Sequence, residues 1–494
     1  LAASLTPGFA LEEATLADMA RAMADGVLTS EQLVLMYLER IAAIDKDGPR
    51  LNAVLEVNPD AQFIAQARDR ERKSSGPRGP LHGIPVLIKD NIDTHDKMHT
   101  SAGSLALADS FATQDAFVVQ QLRKAGAVLL GKTNMTEFAN YMTEGMPSGY
   151  SSRGGQVLNP YLPGRMLPGG SSSGSGVAAA ANLAAVTIGT ETSGSILSPS
   201  SNNSIVGIKP TVGLISRSGI IPIAVSQDTA GPMARTVADA ATLLGTLTGV
   251  DPADPATEVS VGRAYKDYTQ FLDRGGLKGA RIGVPRLYWF EKLSAEEIRL
   301  FDAGVAALRE LGAEVVDPVD IASVAPGFWQ SSVLSYEFKP CLNAYLAGLG
   351  PAAPVRTMKE IIAFNTAGPE AMLKYGQTQL AKSEATSGTL TEPEYLRDRL
   401  KDIKLTRTEG IDKTMDEHKL DAMVFPGAQG CWVGARAGYP SLTVPAGYTA
   451  EGQPLGFTFL GRAWTEPILI RYGYAYEQAT GHRVAPRLDL RGLP

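Results

Sequence analysis

Strand-length apolar runs alternate with segments of helical period along most of this chain, and that alternation restricts the fold more than any other feature. Ile84 to Ile88 is a continuous apolar run, Phe117 to Ala125 has helical spacing, and Ala127 to Leu130 is strand-like again. The order recurs with Val177 to Leu183 as helix, Ala185 to Gly189 as strand, Thr236 to Leu247 as helix and Ala280 to Val284 as strand. Ala295 to Leu311 (helix), Glu314 to Val316 (strand), Ala422 to Phe425 (strand) and Glu466 to Gln478 (helix) complete it. The expected fold is therefore α/β, one large domain with a central mixed, mostly buried sheet sandwiched by helices. Two helices should precede it: Leu11 to Ala24, then one opened by a Thr29-x-x-Gln32 capping pattern with Leu33, Met36, Tyr37 and Ile41 on one face. A polar link, Lys73 to Pro80, separates them from the first strand.

Composition removes several function classes. The 494 residues carry 46 Lys and Arg against 52 Asp and Glu, with no basic cluster, which argues against nucleic acid as the main partner. No stretch of about twenty apolar residues exists to span a bilayer as a helix. Cys341 and Cys431 cannot build a disulfide framework; they form one bridge or two buried thiols. His95 and His99 stand four apart but lack a third ligand, so no metal site is expected, and no nucleotide or organic cofactor motif is present. Leu1-Ala2-Ala3-Ser4 reads as the start of a mature chain after removal of a signal peptide, giving an expected extracytoplasmic location (periplasmic or secreted, in a bacterium), with a cytoplasmic chain as the alternative.

Two serine-rich segments carry the chemistry. Gly169-Gly170-Ser171-Ser172-Ser173-Gly174-Ser175-Gly176 runs into a helix of small residues, which gathers backbone N–H groups at a helix start. A phosphate loop would need a lysine that is missing. Gly170 to Gly174 satisfies the G-x-S-x-G elbow of an esterase with Ser172 as nucleophile, but Pro163 to Pro168 is a poor strand to lead into it. Only His418 and His482 lie far enough downstream to complete that triad.

Further on, Gly189-Thr190-Glu191-Thr192-Ser193-Gly194-Ser195-Ile196 ends an apolar strand in small polar residues. A serine on such a turn sits beside successive backbone N–H groups that can hold an oxyanion, but its hydroxyl needs a base. Val86-Leu87-Ile88 ends in Lys89-Asp90-Asn91. An ordinary lysine is neutral in roughly one molecule in 2,500 at pH 7, whereas burial disfavours its charged form. Lys89, at the end of a buried strand, is thus a candidate base. A lysine paired with Asp90 is the plainer reading.

These residues resemble the amidase signature family. Pro80 to Asn91, Gly131 to Ala139, Gly169 to Gly174 and Gly189 to Ser195 agree with it in order and spacing, followed by Gly207 to Thr211 and Ser226 to Asp239. Weaker agreement continues through Asp421 to Pro426 and Gly438 to Pro445. The resemblance implies Lys89 as neutral base, Ser171 as bridging serine in a cis peptide, and Ser195 as nucleophile. It implies an oxyanion hole from the N–H groups of Thr192, Ser193, Gly194 and Ser195, with Ser172, Ser173, Thr190 and Asp228 in support. Residues 1–494 would form one amidase domain: a signature core over about 65–250, a helical insertion over about 320–418 and the C-terminal part of the sheet over about 419–480. Leu197 stands where many members have Arg, which points away from the glutamine-hydrolysing amidotransferase subunit. Glu191 stands where Asp is usual, and Ser193 where Gly is usual.

The chain is most similar to the bacterial peptide-amidase branch, which implies release of ammonia from peptide C-terminal amides through an acyl-enzyme. Other small, aryl or fatty amides are the alternative substrates. The Ser172 esterase and an idle binding subunit that keeps the fold are the other function classes. The expected partners are a small-molecule or peptide amide and at most a second copy of the chain. Asp228 is expected to hold its loop through an ion pair with Arg235, and His82 to serve in packing or capping. Tyr141, Tyr150, Phe328 and Trp329 are candidates to line a peptide cleft.

Overall fold

In the computed structural model, which describes residues 8–324 and 329–488, the chain opens as its caps dictate. Thr15 and Asp18 cap each other reciprocally, so the first helix begins at Leu16, five residues later than the apolar spacing suggests. Thr29 and Gln32 form the expected capping box, and the helix Ser30–Arg40 follows. The polar link is shorter than its composition suggests, because the helix Ala61–Ser75 takes in its first three residues.

The strands, in chain order, are β1 (Val54–Val57), β2 (Pro85–Lys89), β3 (Val128–Thr133), the small hairpin β4 (Tyr150–Ser151) and β5 (Gly155–Gln156), β6 (Val186–Glu191) and β7 (Val206–Lys209). They continue as β8 (Thr229–Ala234), β9 (Arg281–Gly283), β10 (Glu314–Val316), β11 (Ala422–Pro426), β12 (Ser441–Tyr448) and β13 (Pro454–Leu460). All except the hairpin form one sheet in the order β1-β3-β2-β6-β8-β7-β12-β13-β11-β9-β10. Pairs β3/β2, β2/β6, β11/β9 and β9/β10 are parallel and the other pairs antiparallel, so the sheet is mixed as expected. β2, β3, β6, β7, β8, β11 and β13 are buried along their whole length, so even the polar residues that end β2, β3 and β6 are out of solvent. Helices including Val237–Leu247, Ala295–Glu310 and Glu466–Thr480 cover the sheet. The described residues between β10 and β11 form helices and turns with no strand.

The helix expected at Val177 to Leu183 instead spans Ser173–Ala180 and is buried at every residue. It starts inside the Gly/Ser segment because only small residues fit there. A Cβ on Gly174 would lie 2.3 Å from the Ala53 carbonyl oxygen and 2.4 Å from that of Asn134. The helix therefore seats its first turn directly against Ala53, which precedes β1, and Asn134, which follows β3, and Gly174 N–H donates to Asn134 O at 2.9 Å. β2 and β6 are parallel neighbours, so Lys89 and Thr190 reach the same end of the sheet beside that helix start.

Candidate active site

Lys89 is fully buried, and the polar neighbours of its Nζ come from the two serine segments. Nζ lies 2.7 Å from Ser171 Oγ, 3.0 Å from Ser172 Oγ, 2.9 Å from Thr190 Oγ1 and 3.2 Å from Thr190 O. Burial pushes the Lys89 ammonium down to about 7, against the opposing pull of the Glu191 and Asp228 carboxylates. The expected pairing of Lys89 with Asp90 does not occur. Asp90 turns away to Ser101 and to Gly103 N–H, with Arg153 at 3.5 Å.

The hydrogens can be counted. Ser172 Oγ donates to Thr190 O at 2.9 Å and accepts from Thr190 N–H at 3.1 Å, so its own proton is committed and it meets Lys89 as an acceptor. Asn91 Nδ2 donates to Thr190 Oγ1 at 3.0 Å. An uncharged amine has two hydrogens and one lone pair. With the hydrogens directed to Ser172 and Thr190, the lone pair faces the remaining neighbour, the Ser171 hydroxyl.

The peptide Gly170–Ser171 is cis. Thr136 N–H donates to Ser171 O at 3.1 Å, and Ser173 Oγ donates to Gly169 O at 2.6 Å. Ser172 N–H donates to Ser195 O at 3.1 Å, which ties the helix start to the Thr192–Ser195 turn.

Of the four amides expected to hold an oxyanion, Gly194 N–H is already taken. It donates to Glu191 Oε1 at 2.7 Å, because Glu191 folds back and also accepts from Ile196 and Leu197 N–H at 2.8 and 3.0 Å. Among the described residues, no hydrogen bond uses the amides of Thr192, Ser193 or Ser195. Thr192 is held from two sides: its hydroxyl donates to Asp228 Oδ1 at 2.6 Å, and Gln227 Nε2 donates to its carbonyl at 3.2 Å.

Asp228 does not pair with Arg235. The two residues flank β8 at opposite ends, roughly 20 Å apart at strand rise. Asp228 instead accepts from Ile223 and Ala224 N–H at 2.8 and 2.9 Å, and Arg235 caps the carbonyls of Ala14 and Ala184.

The histidines stand elsewhere. His82 is buried against Arg68 O, His95 meets Ala112 O, His99 meets Glu56, His418 ends the helix Asp412–Glu417, and His482 lies against Tyr476. None is a partner of Ser171, Ser172 or Ser195 among the described residues, and Ser172 follows a bend rather than a strand. Both cysteines are free thiols.

An amidase family model matches residues 32–433. The chain belongs to the amidase family. This amidase is 43% identical to a probable amidase of Arabidopsis thaliana over 98% of its own length and 93% of the relative. It is 34% identical to a glutamyl-tRNA(Gln) amidotransferase subunit of Methylobacillus flagellatus, over 94% and 96%. Among solved structures, the native peptide amidase from Stenotrophomonas maltophilia has a TM-score of 0.90 at 48% identity, over 97% of this chain and 99% of the other. The peptide amidase PAM in complex with the competitive inhibitor chymostatin gives 0.91 at 48% identity, over 97% and 100%. The protein is accordingly a hydrolase acting on amides.

Residues that sequence reasoning passed over surround this centre. Glu191, noticed only as a departure, clamps the serine turn. Lys209, like Lys132, is a further fully buried lysine. It donates to Tyr439 O at 2.7 Å and is pushed down to about 8 by burial, with Glu191 and Glu466 opposing. Cys431 lies under the turn, its Sγ 3.0 Å from where a Gly194 Cβ would sit.

Next to Cys431, Trp432 stacks on Trp289 (ring centroids 5.6 Å apart) and meets Trp329 edge-on. Arg436 lies over both Trp329 and Trp432, and Asp402 accepts from Trp329 Nε1 at 2.6 Å. Trp329 thus lines a pocket of about 290 Å³ together with Trp289, Trp432 and Arg436. Tyr141 packs on Phe338 and Tyr150 on Tyr375. Phe328 lies outside the described residues.

Proposed function

We propose that the protein releases ammonia from the C-terminal carboxamide of peptides, through an acyl-enzyme on Ser195 with Ser171 and Lys89 as proton relay. The observation that carries this reading is the buried Lys89 amine with its lone pair left for the Ser171 hydroxyl. In the proposed sequence Lys89 takes the Ser171 proton as Ser171 takes that of Ser195, and Ser195 Oγ attacks the carboxamide carbon. The amides of Thr192, Ser193 and Ser195 stabilise the oxyanion, and Thr192 is kept in place by Asp228. Ser171 then protonates the departing nitrogen, and water cleaves the ester by the same relay. Similarity at 48% identity to the peptide amidase from Stenotrophomonas maltophilia favours peptides as the acyl group.

A panel comprising a dipeptide amide, a fatty amide, an aryl amide and free glutamine, assayed for ammonia, tests the substrate. The dipeptide amide should give the highest kcat/KM, with the mass of the product showing loss of the terminal amide and no internal cleavage. A larger kcat/KM for the fatty or aryl amide would overturn the peptide assignment.

The base must be uncharged to act, so kcat/KM should fall on the acid side of about pH 7, where Lys89 is protonated. It should drop about tenfold per pH unit well below that point. A profile level from pH 5 to pH 8 would remove Lys89 from the base role.

A further inference from the structure

Gln227 and Asp228, which hold Thr192 by its carbonyl and its hydroxyl, end a tight loop that leads into β8. The loop closes where the amides of Gln227 and Asp228 donate to Ala224 O at 3.1 and 2.9 Å, which leaves Val225 and Ser226 as its tip. Asp228 Oδ2 accepts from Ile223 and Ala224 N–H on the opposite limb, so the place of its carboxylate follows the placement of the loop as a whole. Apolar packing secures the tip poorly. Val225 is 52% exposed, and a cavity of about 500 Å³ lies between Ile223 and Val225 on one side and Pro340 and Ala344 of the helix Val333–Gly348 on the other.

Glu337 of that helix, itself buried, reaches the tip. Its Oε2 accepts from Ser226 N–H at 3.0 Å and from Ser226 Oγ at 2.9 Å, and its Oε1 accepts from the Tyr395 hydroxyl at 2.9 Å. Tyr395 belongs to a second helix, Pro393–Ile403, and fixes the carboxyl from behind. We infer that Glu337 is a positioning residue of the oxyanion site: by holding Ser226 it fixes Asp228, and through Asp228 the amide of Thr192. The inference rests on the oxyanion role proposed above for Thr192. It gives the helical segment between β10 and β11 a part in the reaction although Glu337 touches neither Ser195 nor Thr192 directly.

The other supports of loop and helix separate this role from a general one in stability. Arg217 donates to Val225 O and pairs with Asp254 at 2.6 Å, and the Cys341 thiol meets the Val225 backbone as a weaker partner, so the loop keeps a tether without Glu337. The helix keeps its seat as well. Tyr345 donates to Asp93 Oδ1 at 2.7 Å, Lys339 donates to Glu384 O and Thr386 O at 2.7 and 2.9 Å, and Phe338, Leu342 and Leu346 are fully buried. Loss of the Glu337 carboxyl should therefore let the tip shift on a fold that persists, and a shift of about 1 Å at a positioning group can cost on the order of 100-fold in rate.

The test is a double-mutant cycle on whichever amide of the panel above wild type hydrolyses fastest. Glu337→Ala should lower kcat by about 10–100-fold with KM within about twofold. Glu337→Gln keeps an oxygen for Ser226 and an N–H₂ for the Tyr395 hydroxyl, so it should restore kcat to within about threefold of wild type. Thr192→Val cuts the link to Asp228, and adding Glu337→Ala to it should cost less than about threefold more. A kcat for Glu337→Ala equal to wild type, a loss confined to KM, or losses that multiply in full in the double variant would overturn the inference. If Glu337→Ala does not fold, Ser226→Ala at the half-buried tip decides, and a kcat equal to wild type there would overturn it too. These outcomes leave the substrate assignment standing, whereas a fatty or aryl amide as the fastest substrate would overturn that assignment and leave the cycle to be read as before. Ammonia release from none of the panel would overturn both.

Discussion

Lys89→Met is expected to lower kcat/KM by about 10⁴-fold while making the protein more stable at neutral pH. The rate loss follows from removing the group positioned to accept the Ser171 proton; Ser172 and Thr190, the other neighbours of Lys89, already hydrogen-bond to each other. The stability gain follows from linkage. The unfolded chain holds Lys89 protonated to near its ordinary value of 10.5, whereas the folded protein holds it at about 7. Folding therefore expels a proton anywhere between those values, and the cost grows as pH falls from 10.5, becoming constant below 7. At about 1.4 kcal/mol per pH unit the full penalty is on the order of 5 kcal/mol. Methionine fills similar volume with no charge to desolvate and leaves chiefly the Ser171 hydroxyl without a partner, at about 1–3 kcal/mol. The variant should thus melt above wild type at pH 7, and the two should converge as pH rises toward 10. A variant less stable than wild type at pH 7, or a gap that ignores pH, would show that Lys89 is not held neutral by burial.

The parts of this arrangement differ in how far the sequence discloses them, for physical reasons. Strand β2 is plain because it is buried on both faces and its apolar run stops at Lys89. The capping box at Thr29 is local, and local chemistry survives folding. Strand β8 is not plain: Thr-Ala-Gly-Pro-Met-Ala carries glycine and proline, which argue against a central strand. It stands there because a Cβ on Gly231 would meet the Ile208 carbonyl oxygen at 2.1 Å, a closeness that only the assembled sheet imposes. In the site, the residue types of Lys89, Ser171 and Ser195 and their family spacing are visible in the chain. Which amides remain free is not, since it depends on where Glu191 turns. The Asp228–Arg235 pairing failed for the same kind of reason. Seven positions apart in sequence reads as proximity in a loop, but β8 lies between them and holds them at opposite ends.

Glu191→Ala is expected to lower kcat by about 10²–10³-fold with little change in KM, and to move the acid limb of kcat/KM to lower pH. Both carboxylate oxygens of Glu191 accept from backbone, taking the amides of Gly194, Ile196 and Leu197 and so fixing the turn on which Ser195 sits. Alanine frees those three amides and lets the turn relax away from the geometry in which the Thr192, Ser193 and Ser195 amides converge. Substrate binding, which does not draw on those three amides, should suffer less. Glu191 is also the stronger of the two carboxylates that favour protonated Lys89, so its removal lowers the lysine further and carries the acid limb down with it. The buried Lys209 loses an opposing carboxylate at the same time and keeps Tyr439 O as its hydrogen-bond acceptor. Glu191→Asp retains the charge on a shorter arm, so it should leave the limb nearer its original pH even where kcat falls. A residue that merely filled space would change kcat or stability and leave the pH profile in place. An acid limb unmoved in Glu191→Ala, with kcat reduced, would confine Glu191 to holding the turn and deny it any hold on the charge of Lys89.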